Sequence, residues 1–203
     1  QEYGALFYLD ETVTGFRLAA GGCAELYGLK PDIVTYGKAL GGGLPMAMIG
    51  GRDDIMSGLE WGKVLHFGTH NAGRLALHVT KVMLETMLED DQAGFRRLKN
   101  LGKAMTESIR RVAKHSNRHG IVCQGVNSMF QIFFTDREEI SDYREFCGHV
   151  DRLMFRDFAA RLMDKGIYMN PSATLHSLSS IAHTEADIAT TADAIAEVLE
   201  EMP

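Results

Sequence analysis

Residues 35–45 read TYGKALGGGLP, and this stretch constrains the chain more than any other. A short strand-like run from Ile33 to Tyr36 delivers a single lysine, Lys38, into a turn that contains three successive glycines. Small or apolar residues flank the lysine on both sides, so its ammonium is expected to be partly desolvated. Desolvation disfavours the charged amine, and a neutral amine is what nucleophilic chemistry requires. Gly41, Gly42 and Gly43 lack a Cβ and let the backbone pass close to a ligand. The same stretch also reads as a plain strand-to-loop turn with a solvated lysine, and taken alone it does not choose between the two.

A second stretch does choose. Residues 5–9 form an apolar run of strand length that ends in Asp10 and Glu11 and continues as TVTGFR through Arg17. An acid just past the end of a buried strand stands where open α/β sheets place ligand chemistry. An aspartate and a lysine at neighbouring strand ends are the pair that pyridoxal phosphate chemistry needs. The lysine joins the cofactor aldehyde, and the acid keeps the pyridine nitrogen protonated so that the ring can accept electrons. Three motifs in one order carry a resemblance: Asp10-Glu11 with residues 14–17 (TGFR), Lys38 with its glycines and Pro45, and residues 67–71 (FGTHN). On them the chain resembles the class III, fold-type I, pyridoxal phosphate aminotransferases, nearest to their glutamate-1-semialdehyde aminomutase branch.

The resemblance implies an α/β fold in which residues 1–91 are the second half of the large mixed or parallel-sheet cofactor domain. Residues 92–203 would be the small C-terminal α/β domain. It makes Lys38 the catalytic lysine, Asp10 the ring-nitrogen partner, and Thr69 the threonine that bonds the cofactor phosphate, often across a dimer interface. Thr12 and Val13 occupy cofactor-side positions where relatives commonly carry a valine on the ring face and, in some, a glutamine that reaches the ring oxygen. Two further departures stand near the site. Gly73-Arg74 replaces a more usual Asn-Pro or His-Pro, and residues 171–176 (PSATLH) lack the Phe-Glu pair of many aminomutase-like chains. These weaken aminomutase specificity more than they weaken the case for the cofactor.

Composition bounds the rest. A chain of 203 residues, 45% hydrophobic and 24% charged, can hold one large or two small cores. A net charge of −6 offers no attraction to nucleic acid or to an anionic membrane. Cys23, Cys123 and Cys147 are odd in number and have no CxxC spacing, which suits idle thiols in a reducing compartment. His66, His70 and His78 lack the partners of a metal cluster, so no metal is expected. No apolar run reaches membrane-spanning length and the first twenty residues do not read as a signal peptide, so a cytoplasmic protein is expected. The abrupt start on a strand, without the phosphate-cradling segment and ring-stacking aromatic of the family, reads as the second half of a larger polypeptide.

Along the chain, strands are expected at residues 5–9, 31–38 and 46–51, with a short helix at 18–28 closed by Gly28 and one helical turn at 53–56. Residues 71–89 repeat apolar side chains at helical spacing (Leu75, Val79, Val82, Met83, Met87). Asp90, Asp91 and Gly94 mark a break. A charged helix follows from Phe95 to about His115, with Leu98, Leu101, Met105, Ile109 and Val112 on its apolar stripe. Its arginines and lysines read as a solvated face rather than a nucleic-acid surface. Strands at 121–123, 129–134, 167–169 and 178–182 alternate with helices at 150–165 and from Thr184, where Asp187 completes a capping box. His183, just before that cap, reads as structural.

The implied reaction is amino-group transfer between an amino acid or amine and a keto acid or aldehyde. The same residues would serve an aminomutase or a racemase. A rival of another class is a catalytically silent dimerisation module. A homodimer is expected because the loop of residues 58–62, which carries the only tryptophan, Trp61, precedes Thr69.

Overall fold

The computed structural model describes residues 3–60, 63–116 and 120–202, and it divides into two compact units, Gln1–Arg96 and Arg97–Pro203. The first unit is built on a three-stranded sheet of order β1-β2-β3, with β1 at Tyr8–Glu11, β2 at Ile33–Tyr36 and β3 at Met48–Gly51. β1 and β2 are parallel and set Asp10 opposite Thr35, while β3 returns antiparallel to β2. The crossover from β1 to β2 carries α1 (Gly22–Tyr27), which Gly28 closes in a left-handed conformation, as a C-terminal glycine should. Asp32, 1% exposed, ties the ends of the strands together. Its carboxylate accepts from the Phe7 amide at 2.7 Å and from Arg52 Nη1 at 2.6 Å.

The apolar run before Asp10 is not buried on both faces. Leu6, ahead of β1, and Tyr8, on it, are more than half exposed. The strand also begins three residues later than the run suggests. α2 (Asp53–Met56) follows β3 as the expected single turn. Of the loop 58–62, Trp61 and Gly62 lie outside the described residues, and Ser57–Leu59 forms a short 3-10 turn before them.

α3 (Arg74–His115) is one helix by length and two by backbone. Glu89 is extended, and Asp90, Asp91 and Gln92 take φ of +48°, +56° and +63°. Three consecutive left-handed residues cannot continue a right-handed helix. Arg96 braces the break through Asp91 Oδ2 at 2.8 Å and the Asp90 carbonyl at 2.6 Å. In the arm before the break, Met87 is buried and Val79 and Met83 lie against Gly42, but Leu75 and Val82 of the expected face are exposed.

The second unit packs helices on an antiparallel sheet of order β4-β5-β6, with β4 at Ile121–Val126, β5 at Met129–Phe134 and β6 at Ser177–Leu178. Leu101, Met105 and Ile109 of α3 join Phe130, Ile132 and Phe134 of β5 in one core. Phe155, Phe158 and Leu162 of α5 (Arg152–Asp164) and Ile195, Val198 and Leu199 of α6 (Glu185–Glu201) complete it. At Gly102 a Cβ would fall 2.1 Å from the Asn127 carbonyl oxygen, so only glycine lets α3 cross the β4–β5 turn this closely. The capping box of Thr184 and Asp187 opens α6. α4 (Tyr143–His149) has no counterpart in the periodic pattern. Its seven residues start on the Asp142 cap and bury only Phe146, too little to show a helical period. The segment 167–169 forms no strand, and the expected strand at 178–182 shrinks to β6, which pairs two residues with β5.

Candidate functional site

The parallel register of β1 and β2 carries two distant sequence positions to one end of the sheet. Asp10 lies opposite Thr35, and Lys38 follows three residues later as the first residue of a 3-10 turn, Lys38–Gly41. Both side chains thus stand at the carboxyl ends of adjacent parallel strands, where open sheets bind ligands. The Lys38 backbone takes φ +46°, a left-handed conformation uncommon for a residue with a Cβ. Such backbones cluster at functional sites. The expected desolvation of Lys38 is corrected: its side chain is exposed, because the small residues around it, Gly37 and Ala39, cover nothing.

Asp10 is exposed and held in place by its neighbours. Its Oδ1 accepts from the Thr12 amide at 2.9 Å and from the Thr35 hydroxyl at 3.3 Å. Bonds from the Thr12 hydroxyl and amide and from Thr35, with the charge of Lys38, hold its carboxyl below the usual carboxylate range. This folded value lies below the ordinary 3.8, so the stabilisation it brings is fully present above that pH. It disappears as pH falls through the folded pKa. Thr12, which stands where relatives carry valine, satisfies its hydroxyl on Asp10 and turns its methyl towards Gly37, where a Cβ would lie 3.2 Å away. Val13 is half-buried in the turn after β1. Thr69 sits in an exposed turn closed by the Asn71 amide on the Gly68 carbonyl. The side chains that bond Asp10 are those of Thr12 and Thr35, and neither Val13 nor Thr69 is among them. His183 accepts from the Ser180 amide at 3.0 Å ahead of the α6 cap, a structural role.

Glu11 is the residue that motif reading passes over. It is fully buried and accepts from the amides of Cys23 at 3.0 Å and Ala24 at 2.8 Å, and from the Thr14 hydroxyl. The carboxylate thereby caps the start of α1, while its own carbonyl receives the Gly15 amide at 2.9 Å. Gly22 sits against it at φ +65°, in a space that a Cβ would share with the carboxylate oxygens. Glu11 therefore clamps the turn that presents Asp10 and Thr12. A signal existed in the Gly21-Gly22 pair, which leaves room for a side chain at a helix start, but nothing local says which acid fills it. Glu11→Ala should lower unfolding free energy by about 3 kcal/mol, since three donors lose their acceptor inside the unit. An unfolding free energy from urea titration that falls by less than about 1 kcal/mol would show the clamp to be dispensable.

These residues fit pyridoxal phosphate. An anionic carboxylate suits the protonated ring nitrogen, an accessible amine three residues past the neighbouring strand suits its aldehyde, and both belong to one sheet end. Among the described residues no group of three metal-ligating side chains is present, and no helix is long and apolar enough to cross a membrane. A groove of about 910 Å³ in the second unit, lined by Ile121, Phe134, Arg137, His149 and Met154 among others, contains none of the site residues.

A parallel pair of strands that ends in an acid and a lysine, on an α/β scaffold, defines a class. The class III aminotransferase family model matches residues 1–199, and the chain belongs to that family, whose members are pyridoxal phosphate enzymes. Within it, the chain is 39% identical over 201 residues to a glutamate-1-semialdehyde 2,1-aminomutase of Thermus thermophilus, covering 98% of this chain and 46% of that protein. The β-phenylalanine aminotransferase of Variovorax paradoxus superposes with a TM-score of 0.85 at 25% identity, over 98% of this chain and 45% of its own. A transaminase solved with pyridoxal phosphate bound superposes at 0.80 and 22% identity, over 98% and 44%, which speaks to the fold. The chain thus spans a little under half the length of the relatives it matches.

Proposed function

We propose that the protein transfers an amino group between an amino acid or amine and a keto acid or aldehyde, using pyridoxal phosphate, as a cytoplasmic homodimer. The observation that carries this reading is Asp10, held anionic beside the charge of Lys38 at the ends of two parallel strands. When bound, the cofactor supplies an electrophilic aldehyde and a ring that accepts electrons from the substrate carbon. Asp10 keeps a proton on the ring nitrogen. Lys38 Nζ would hold the cofactor through its aldehyde carbon and, once an amino substrate has taken its place, would take the substrate Cα proton and return it to the carbon on the far side of the transferred nitrogen, as general base and then acid. An aminomutase is the second reading, favoured by the names of relatives at 35–39% identity. The missing Phe-Glu pair in residues 171–176 weighs against it. Residues 1–91 are taken as cofactor domain and 92–203 as small domain, a division supported by the backbone break at Glu89–Gln92.

The test is spectroscopic. Pyridoxal phosphate added to the full-length protein should give a visible band that borohydride abolishes, with the label recovered on Lys38. Absence of any such band would leave the silent dimerisation module as the surviving reading.

Thr69 is proposed to bond the phosphate of the partner's cofactor, a role supported by its exposure ahead of α3. A hydroxyl donating to a dianion is worth about 1.5–3 kcal/mol, so Thr69→Ala should loosen the cofactor about tenfold to a hundredfold. Mixing Lys38→Ala with Thr69→Ala subunits at limiting cofactor separates the cases. Action across the interface leaves one site with neither lesion, so activity partly returns. A hybrid no better than its parents, or a monomer in solution, would sink the idea.

A further inference from the structure

Tyr8 stands two residues before Asp10 on β1, on the same side of the strand, because side chains alternate faces with period two. The residue is 53% exposed, so packing does not account for a tyrosine at this position. Its hydroxyl lies 2.7 Å from the Thr35 hydroxyl on β2, and that hydroxyl in turn donates to Asp10 Oδ1 at 3.3 Å. An ionised carboxylate can only accept. The Thr35 proton therefore points at Asp10, and the Thr35 oxygen is left to accept from Tyr8. The direction of the chain follows from chemistry, Tyr8 to Thr35 to Asp10.

We propose that Tyr8 and Thr35 are positioning residues for Asp10, a two-hydroxyl relay across β1 and β2 that orients the carboxylate and keeps it anionic. The inference rests on the reading of Asp10 as the partner of the ring nitrogen. Cross-strand register makes the relay possible: Tyr8 is paired with Ile33 and Asp10 with Thr35, so the tyrosine reaches diagonally to a threonine two residues along. Donation by Tyr8 polarises the Thr35 hydroxyl and strengthens its bond to the carboxylate, since linked hydrogen bonds reinforce one another. The second link is the longer one, and catalytic hydrogen bonds are commonly long before a ligand is in place.

The other groups facing Asp10 are the Thr12 amide and hydroxyl and the charge of Lys38. Glu11, the adjacent acid, points to the other face and is occupied by Thr14 and the start of α1. Thr12 thus sets most of the Asp10 environment whatever Tyr8 does, and the Thr35 bond comes next, ahead of the charge of Lys38. Without the Thr35 donor the anion is less favoured, so the carboxyl should titrate at higher pH.

The experiment follows the Asp10 carboxyl by carbon NMR in the protein without cofactor, and kcat/KM against pH in the protein loaded with pyridoxal phosphate. Thr35→Val should raise the Asp10 midpoint, move the acid limb of kcat/KM to higher pH, and lower kcat/KM about tenfold, one hydrogen bond to a charged group. Tyr8→Phe, which removes one exposed oxygen, should shift the midpoint the same way by less, and should add nothing once Thr35 is valine. Thr35→Ser should restore the wild-type midpoint. An unmoved midpoint in Thr35→Val and Tyr8→Phe, or a Tyr8→Phe shift that persists undiminished in the double variant, would overturn the relay. Should Thr35→Val not fold, Tyr8→Phe against wild type decides alone. The cofactor-free titration judges the relay even if no borohydride-sensitive band ever forms, an outcome that would count against the proposed function instead. A normal band with unmoved Asp10 midpoints would sink the relay and leave that function standing.

Discussion

Lys38→Ala is expected to abolish amino transfer, a loss of at least about a thousandfold in kcat. The lysine serves twice in the proposed reaction, as the amine that binds the aldehyde and as the group that moves the Cα proton, and proton transfer alone is commonly worth about 10²–10⁴-fold. Cofactor binding should weaken but persist, because contacts to the phosphate do not pass through the lysine. The variant should show no borohydride-sensitive protein label. An added small amine should recover a little turnover by replacing the missing base. Near-normal turnover without added amine would remove Lys38 from the catalytic role. The left-handed backbone at this position adds a control. Lys38→Gly relieves the strain of φ +46° without supplying an amine, so it should be equally inactive and no less stable than the alanine variant.

Asp10→Asn should cost almost as much, on the order of 10²–10³-fold in kcat/KM, the range found when one preorganised electrostatic partner is removed. The amide keeps the size of the side chain and can still accept from the Thr12 amide and Thr35, so the turn should remain in place. What it loses is the negative charge that holds a proton on the ring nitrogen. The loss should therefore appear in kcat with the borohydride-sensitive band still present. Restored activity at lower pH would not be expected, since an amide does not titrate. Wild-type turnover in this variant would place Asp10 outside the site.

Much of the candidate site was legible locally. Lys38 was marked by its glycine-rich turn, Asp10 by its place after an apolar run, and the helix stripe from Leu98 to Ile109 by its period. Gly28 and the Thr184–Asp187 box announced helix ends through backbone and capping chemistry that acts within a few residues. Local signals failed where length was short or exposure decided. α4 buries a single aromatic, and β6 pairs only two residues. Leu75 and Val82 kept a helical period yet face solvent, because periodicity states which residues share a face and not what covers it.

The sequence by itself determined which residue types could act, in what order, and where the capped helices would begin or stop. Those properties depend on torsional preference, capping and spacing over at most a turn or two. Only the tertiary structure decided which of the residues meet. The parallel register of β1 and β2 brings Asp10 beside Thr35, twenty-five positions on, and so towards Lys38. The return of the chain into α1 gives the buried Glu11 carboxylate its amide partners, twelve and thirteen positions away. The diagonal across the same strands gives Tyr8 its link to Thr35, over twenty-seven positions. The two contacts across β1 and β2 are choices of register, and register is set by what the whole sheet buries rather than by any residue's own preference.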